Sequence, residues 1–135
     1  MDTDITNNNL NKFITFCLVP GEPKKVKLEP LNSTAISIQW RPPTEKDQNG
    51  IIRGYQVYYV HVNDRDEPLG SAAMFDVSDP TKTEAVVAGL QPDTSYQFQI
   101  AAYTRKGDGE RTKPRNAKTK GAGEGRYLSF VNKSY

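Results

Sequence analysis

The sequence predicts an all-β fold, a two-sheet antiparallel sandwich of seven strands, on three observations. From Pro20 onward the chain breaks into seven short runs of alternating apolar and polar residues, punctuated by Pro, Gly, Asn and Asp, which is the spacing of a sandwich or barrel. No segment holds a 3.6-residue apolar period long enough to compete as a helix. The 135 residues, 36% hydrophobic and 25% charged with ten Gly and nine Pro, suffice for one turn-rich core and are too few for two comfortable ones.

The first run, Lys24 to Leu28, alternates lysines with Val26 and Leu28. The second, Thr34 to Trp40, sets Ile36, Ile38 and Trp40 on one face, because successive side chains of a strand point to opposite sides. Leu31, Asn32 and Ser33 supply the turn between them, and Pro42 and Pro43, which lack an N–H for the ladder, end the second run. In the third, Ile51 to Val62, Tyr55, Val57 and Tyr59 share one face while Gln56, Tyr58, Val60 and Val62 lie towards the other. A fourth run, Ala73 to Val77, follows the polar stretch Asn63 to Gly70, and a fifth, Thr83 to Ala88, offers Ala85 and Val87 inward before Gly89. The sixth, Ser95 to Tyr103, alternates most cleanly, with Tyr96, Phe98, Ile100 and Ala102 opposite Gln97 and Gln99. Arg115 to Lys120, after Pro114, forms a weaker seventh.

These elements place one domain at residues 20–121. Residues 1–19 read as a polar, disordered leader carrying a short apolar run from Phe13 to Val19, and 122–135 as a flexible tail. The apolar run is too short, and the acidic Asp2 and Asp4 before it are of the wrong sign, for a secretory signal. It also falls well below the ~20 residues of a membrane-spanning helix, so no membrane insertion is expected.

Composition narrows the chemistry. A formal net charge of +2 gives no global pull on nucleic acid, so any polyanion site must come from local clustering. The one cysteine, Cys17, excludes an intrachain disulfide and any cysteine-based zinc site, and His61 is the one histidine. No cofactor, metal or catalytic residue is expected: no Ser or Cys is patterned as a nucleophile beside His61.

The segment Gly89-Leu90-Gln91-Pro92-Asp93-Thr94-Ser95-Tyr96 looks like a tyrosine corner, in which a Tyr hydroxyl bonds backbone a few residues upstream. Leu90 would plug the core there, joining Trp40, Tyr55 and Tyr96 as its structural residues. Together with Trp40 before the proline pair and the Gly54, Tyr55, Val57, Tyr59 pattern, this resembles a fibronectin type III domain across Pro20 to Gly121, an immunoglobulin-like sandwich. The lack of a cysteine pair fits that class, and the paired Trp-Ser motif of cytokine receptors is missing. Longer stretches, VKLEPLNST from Val26, IRGYQVYYV from Ile52 and AAYTRKGDGERTKP from Ala101, are similar to a repeat of the LAR family of receptor-type protein tyrosine phosphatases. The resemblance implies the extracellular part of a cell-surface receptor, with cell-surface or matrix proteins and neighbouring receptor domains as partners. It does not imply phosphatase activity: that chemistry needs a cysteine preceded by histidine in a phosphate-cradling loop, whereas Cys17 is flanked by Phe16 and Leu18.

Four surfaces are candidates for binding. Tyr58, Val60 and Tyr103 would form an exposed apolar group on the outer face of the third and sixth strands. Lys24, Lys25, Lys27, Arg111, Lys113 and Arg115 would make a basic surface for heparan sulfate if the first and last strands come together, against the simpler role of a solvated edge that discourages strand pairing. Lys106-Gly107-Asp108 sits in the loop where related repeats display Arg-Gly-Asp to integrins, against the simpler role of a glycine-assisted hairpin using Gly107 and Gly109. Asn32 and Asn132 head glycosylation sequons, Asn32 in a turn. The function expected is a non-catalytic adhesion and spacer module; the alternatives are a glycosaminoglycan-binding module and an intracellular scaffold repeat.

Overall fold

Alternation resolves into two facing sheets. The structure, a computed structural model, describes residues 19–121; Cys17, most of the leader, the tail and Asn132 lie outside them. Eight strands follow in order: β1 Lys24–Pro30, β2 Ile36–Arg41, β3 Gly54–His61, β4 Ala73–Val77, β5 Glu84–Val87, β6 Ser95–Thr104, β7 Gly107–Asp108 and β8 Arg115–Lys118. One turn of 3-10 helix, Glu45–Asp47, sits between β2 and β3. One sheet runs β1-β2-β5; the other runs β4-β3-β6, with β7 and β8 both on the far side of β6. All pairings are antiparallel.

The inward rows meet as the core. Ile36, Ile38 and Trp40 of β2 face Tyr55 and Val57 of β3 and Tyr96, Phe98, Ile100 and Ala102 of β6, with Val87 and Leu90 closing one end. Each large side chain so enclosed contributes about 1.5–3 kcal/mol. Trp40 and Tyr55 pack with ring centroids 5.1 Å apart and a tilt of 57°. The Trp40 indole N–H and the Tyr55 hydroxyl are enclosed without a conventional hydrogen-bond partner. Burial pushes the Tyr55 phenol up, and the indole beside it pulls it partly back.

At the β5–β6 connection the Gln91 N–H donates to the Tyr96 hydroxyl at 2.8 Å, and Gly89 takes φ 77°, where a side chain would be strained. Thr119, unremarked in the sequence, is buried here. Its hydroxyl donates to the Gln91 carbonyl at 2.6 Å and accepts from the Thr94 N–H at 2.9 Å, tying the last strand to the corner.

Two elements differ from expectation. The seventh run, expected over Arg115 to Lys120, is β8, paired with Ser95 to Phe98, and the loop expected before it holds a further two-residue strand, β7, paired with Tyr103 and Thr104. Between them Pro114 has no N–H to give, and Thr112 serves the ladder instead, its N–H donating to Ile100 O at 2.9 Å and its hydroxyl accepting from Ile100 N at 3.0 Å. Val62, expected on the outward row, is buried: the regular ladder of β3 ends at His61, and Val62 bridges to Pro68 while donating its N–H to Ser95 O.

Candidate interaction surface

The outer face of the β4-β3-β6 sheet is set by register. Gln56 lies between Asp76 and Ala101, and Tyr58 between Met74 and Gln99, while Val60 faces Gln97 and Gly54 faces Tyr103. Tyr58, Val60 and Tyr103 therefore share this face, and all three are half-buried. They do not form the open apolar group expected. The Arg111 guanidinium carbon sits 3.7 Å from the Tyr58 ring centroid, a cation–π contact, and the Tyr58 hydroxyl donates to Gln56 Oε1 at 2.6 Å. Tyr103 lies across Gly54 at the other end of the same strand. A Cβ at Gly54 would meet the Tyr103 hydroxyl at 2.6 Å and would collide with the Val77 carbonyl, so glycine is required by close approach. Burial first, then the neighbouring Asp76 and Asp108 carboxylates, push the Tyr103 phenol up.

Lys106-Gly107-Asp108 is part of a hairpin and not of a long loop. Arg105 and Lys106 are its two turn residues, Gly107 pairs with Thr104 and Asp108 with Tyr103. Gly107 takes φ 147°. Gly109, expected to share that role, is needed for room: a Cβ there would meet Ala102 O at 2.8 Å and press on Pro20.

The basic residues fall mainly on one edge. Lys24, Lys25 and Lys27 are exposed on β1, and Lys113 and Arg115 are exposed beside and on β8. Arg111 leaves the group to cover Tyr58. Asn32 is exposed, and its Oδ1 accepts from Thr34 N at 2.8 Å and Thr34 Oγ1 at 3.3 Å, which brings both sequon side chains together. His61 is exposed on β3 with its ring 5.8 Å from that of Tyr96. Among the described residues no group of three or more His, Cys, Asp or Glu is placed to hold a metal, and no helix is long and apolar enough to cross a membrane.

On the opposite side, β4 and β5 end their sheets without meeting. A groove of about 720 Å³ lies between them, lined by Phe75, Thr81, Lys82 and Val86 among others. Phe75 is 40% exposed and Val86 51%. Alternation places Phe75 on the inward row of β4, opposite Val57; only the sheet order shows that it borders a groove.

The model of the fibronectin type III domain matches residues 21–118. The chain belongs to this family. Among curated proteins it is 51% identical over 104 residues to tyrosine-protein phosphatase Lar of Drosophila melanogaster, covering 76% of this chain and 5% of that one. It is 47% identical over 112 residues to receptor-type tyrosine-protein phosphatase F of Bos taurus, covering 83% of this chain and 6% of the relative. The solved FN5 domain of Drosophila Lar is matched over its whole length and 77% of this chain, with 44% identity and a TM-score of 0.62. The fibronectin type III module described here thus corresponds to one repeat of LAR-type receptor phosphatases, a small fraction of their length.

Proposed function

We propose that this fibronectin type III module is a non-catalytic unit of the extracellular part of a cell-surface receptor, spacing its neighbouring domains and making adhesive contacts with other proteins. The observation that carries the reading is the match to a whole FN5 domain of Lar at 44% identity. The contact surface proposed is the outer face of β3 around Tyr58 and Val60, with Met74 of β4 beside them. Tyr58 presents an aromatic body under a guanidinium, and aromatic and Arg groups are the side chains that anchor protein interfaces.

The test is adhesion of receptor-bearing cells to beads coated with the 135-residue chain. Beads carrying Tyr58→Ala with Arg111→Ala should lose most of the adhesion, while Asp64→Ala beads keep it. Equal adhesion by both would remove this face from the interface. Secretion through a eukaryotic expression route addresses location separately: a glycosidase-sensitive mass at Asn32 supports the extracellular reading, and an unmodified Asn32 favours the intracellular scaffold.

A further inference from the structure

The first and last strands belong to different sheets, yet their chains run side by side in the same direction. Glu110 N–H donates to Pro20 O at 3.0 Å at one end, and Lys120 N–H donates to Asn32 O at 3.2 Å at the other. Between these two pins β1 and β8 approach within 8 Å. The strip so defined is about as long as a seven-residue strand, roughly 20 Å or more.

Its charge is largely of one sign. Lys24, Lys25 and Lys27 stand on one side; Lys113, Arg115 and Lys118 stand on the other, all exposed. Glu22, Glu29 and Glu110 lie in the same stretches, but the ion pair found among the described residues is Lys118 to Asp93, at 3.3 Å between exposed groups. A bulge after Lys24 breaks the β1 register, and Lys25 is held there at φ 52°, a conformation a lysine adopts only under constraint from its surroundings. Arg115 occupies the register of Phe98, on the row facing the opposite sheet, and is exposed because β8 is the last strand. Protection against edge pairing does not account for this pattern. The opposite edge, where β4 and β5 end their sheets, carries mixed charges, with Asp76 and Glu84 beside Lys82.

We propose that the seam between β1 and β8 binds a linear sulfated polysaccharide. Fixed anions repeated along a chain match lysines spaced along a strip, and the flexible ammonium stems suit sulfates of variable spacing. The aromatic rings of the adjoining strands, Trp40, Tyr96 and Phe98, are buried in the core, so they offer no face on which nucleic-acid bases stack. The ligand class rests on the extracellular placement proposed above, but binding by the purified chain does not depend on location, so the two readings fail separately.

The experiment is titration of the purified 135-residue chain with a heparin fragment across a salt series. Binding should persist at physiological salt, and Lys27→Ala with Arg115→Ala, one residue from each side, should weaken it about tenfold and lower the slope of log Kd against log salt by roughly two. Arg65→Ala with Lys82→Ala, an equal loss of charge away from the seam, should leave it unchanged. Unaltered thermal unfolding of both variants would confirm that folding is intact. The proposal is overturned by no binding even at low salt, or by equal losses in the two variants. It is also overturned if polyglutamate binds as tightly as heparin, which would point to an acidic protein instead.

Discussion

The two edges of the sandwich are built differently. Along β1 and β8 the chain ends run together, pinned by backbone hydrogen bonds at both ends and lined with lysines. Along β4 and β5 the chain crosses from one sheet to the other, through a turn where Thr81 N–H donates to Asp79 Oδ1 at 2.9 Å, and the edges stay apart around a groove. The pinned side presents exposed cations; the parted side leaves Phe75 and Val86 exposed.

The largest expected effect ignores the difference. Trp40 is packed against Tyr55 at the centre, and Trp40→Ala should cost about 3–5 kcal/mol in urea unfolding, loosening both sides together. A loss under 1 kcal/mol would mean that each side holds itself.

Gly109→Ala should separate the sides. The added Cβ presses on Pro20 and Ala102, an overpacking cost of about 1–3 kcal/mol. Hydrogen exchange should quicken at the Glu110 amide, which bonds Pro20, and not at the β4 amides. Uniform acceleration would contradict the pinned-seam picture.

High pH should act on the outer face of the β4-β3-β6 sheet. Tyr103 has its folded pKa raised by burial and by Asp76 and Asp108, so it contributes stability that is present below the unfolded value of 10.0 and lost as pH rises through the folded one. Thermal unfolding followed from neutral pH to beyond pH 10.0 should show a decline that Tyr103→Phe makes shallower. The buried Tyr55, also raised, keeps part of the slope. An identical decline in the variant would remove Tyr103 as its source.

The smallest effect belongs to the groove. Val86→Thr should change stability by no more than about 0.5 kcal/mol, measured by the same unfolding curves, because half of that side chain is already exposed.

Most of the fold was legible before any coordinates. Ile36, Ile38 and Trp40 lie at every second position and are buried together, and the Leu90 to Tyr96 segment announces its own corner because the hydrogen bond that makes it spans five residues. The outer face was legible in membership and not in state. Tyr58, Val60 and Tyr103 share it, but Arg111, which covers Tyr58, comes from the segment between β7 and β8, and Gly54, which lets Tyr103 pack close, comes from β3. A glycine facing an aromatic across two strands is the signal that would have found the second.

By itself the sequence determined the period-two rows, the turns, the core membership and the presence of many cations near both ends of the domain. A period of two states which face a side chain takes, since that is fixed by the backbone of its own strand. It does not state which strand lies alongside. The tertiary structure alone decided that β8 runs beside β1 and gathers those cations, that β4 and β5 part around a groove, and that a short strand, β7, pairs with β6 ahead of β8. Those outcomes depend on contacts between residues up to ninety positions apart, such as Pro20 with Glu110.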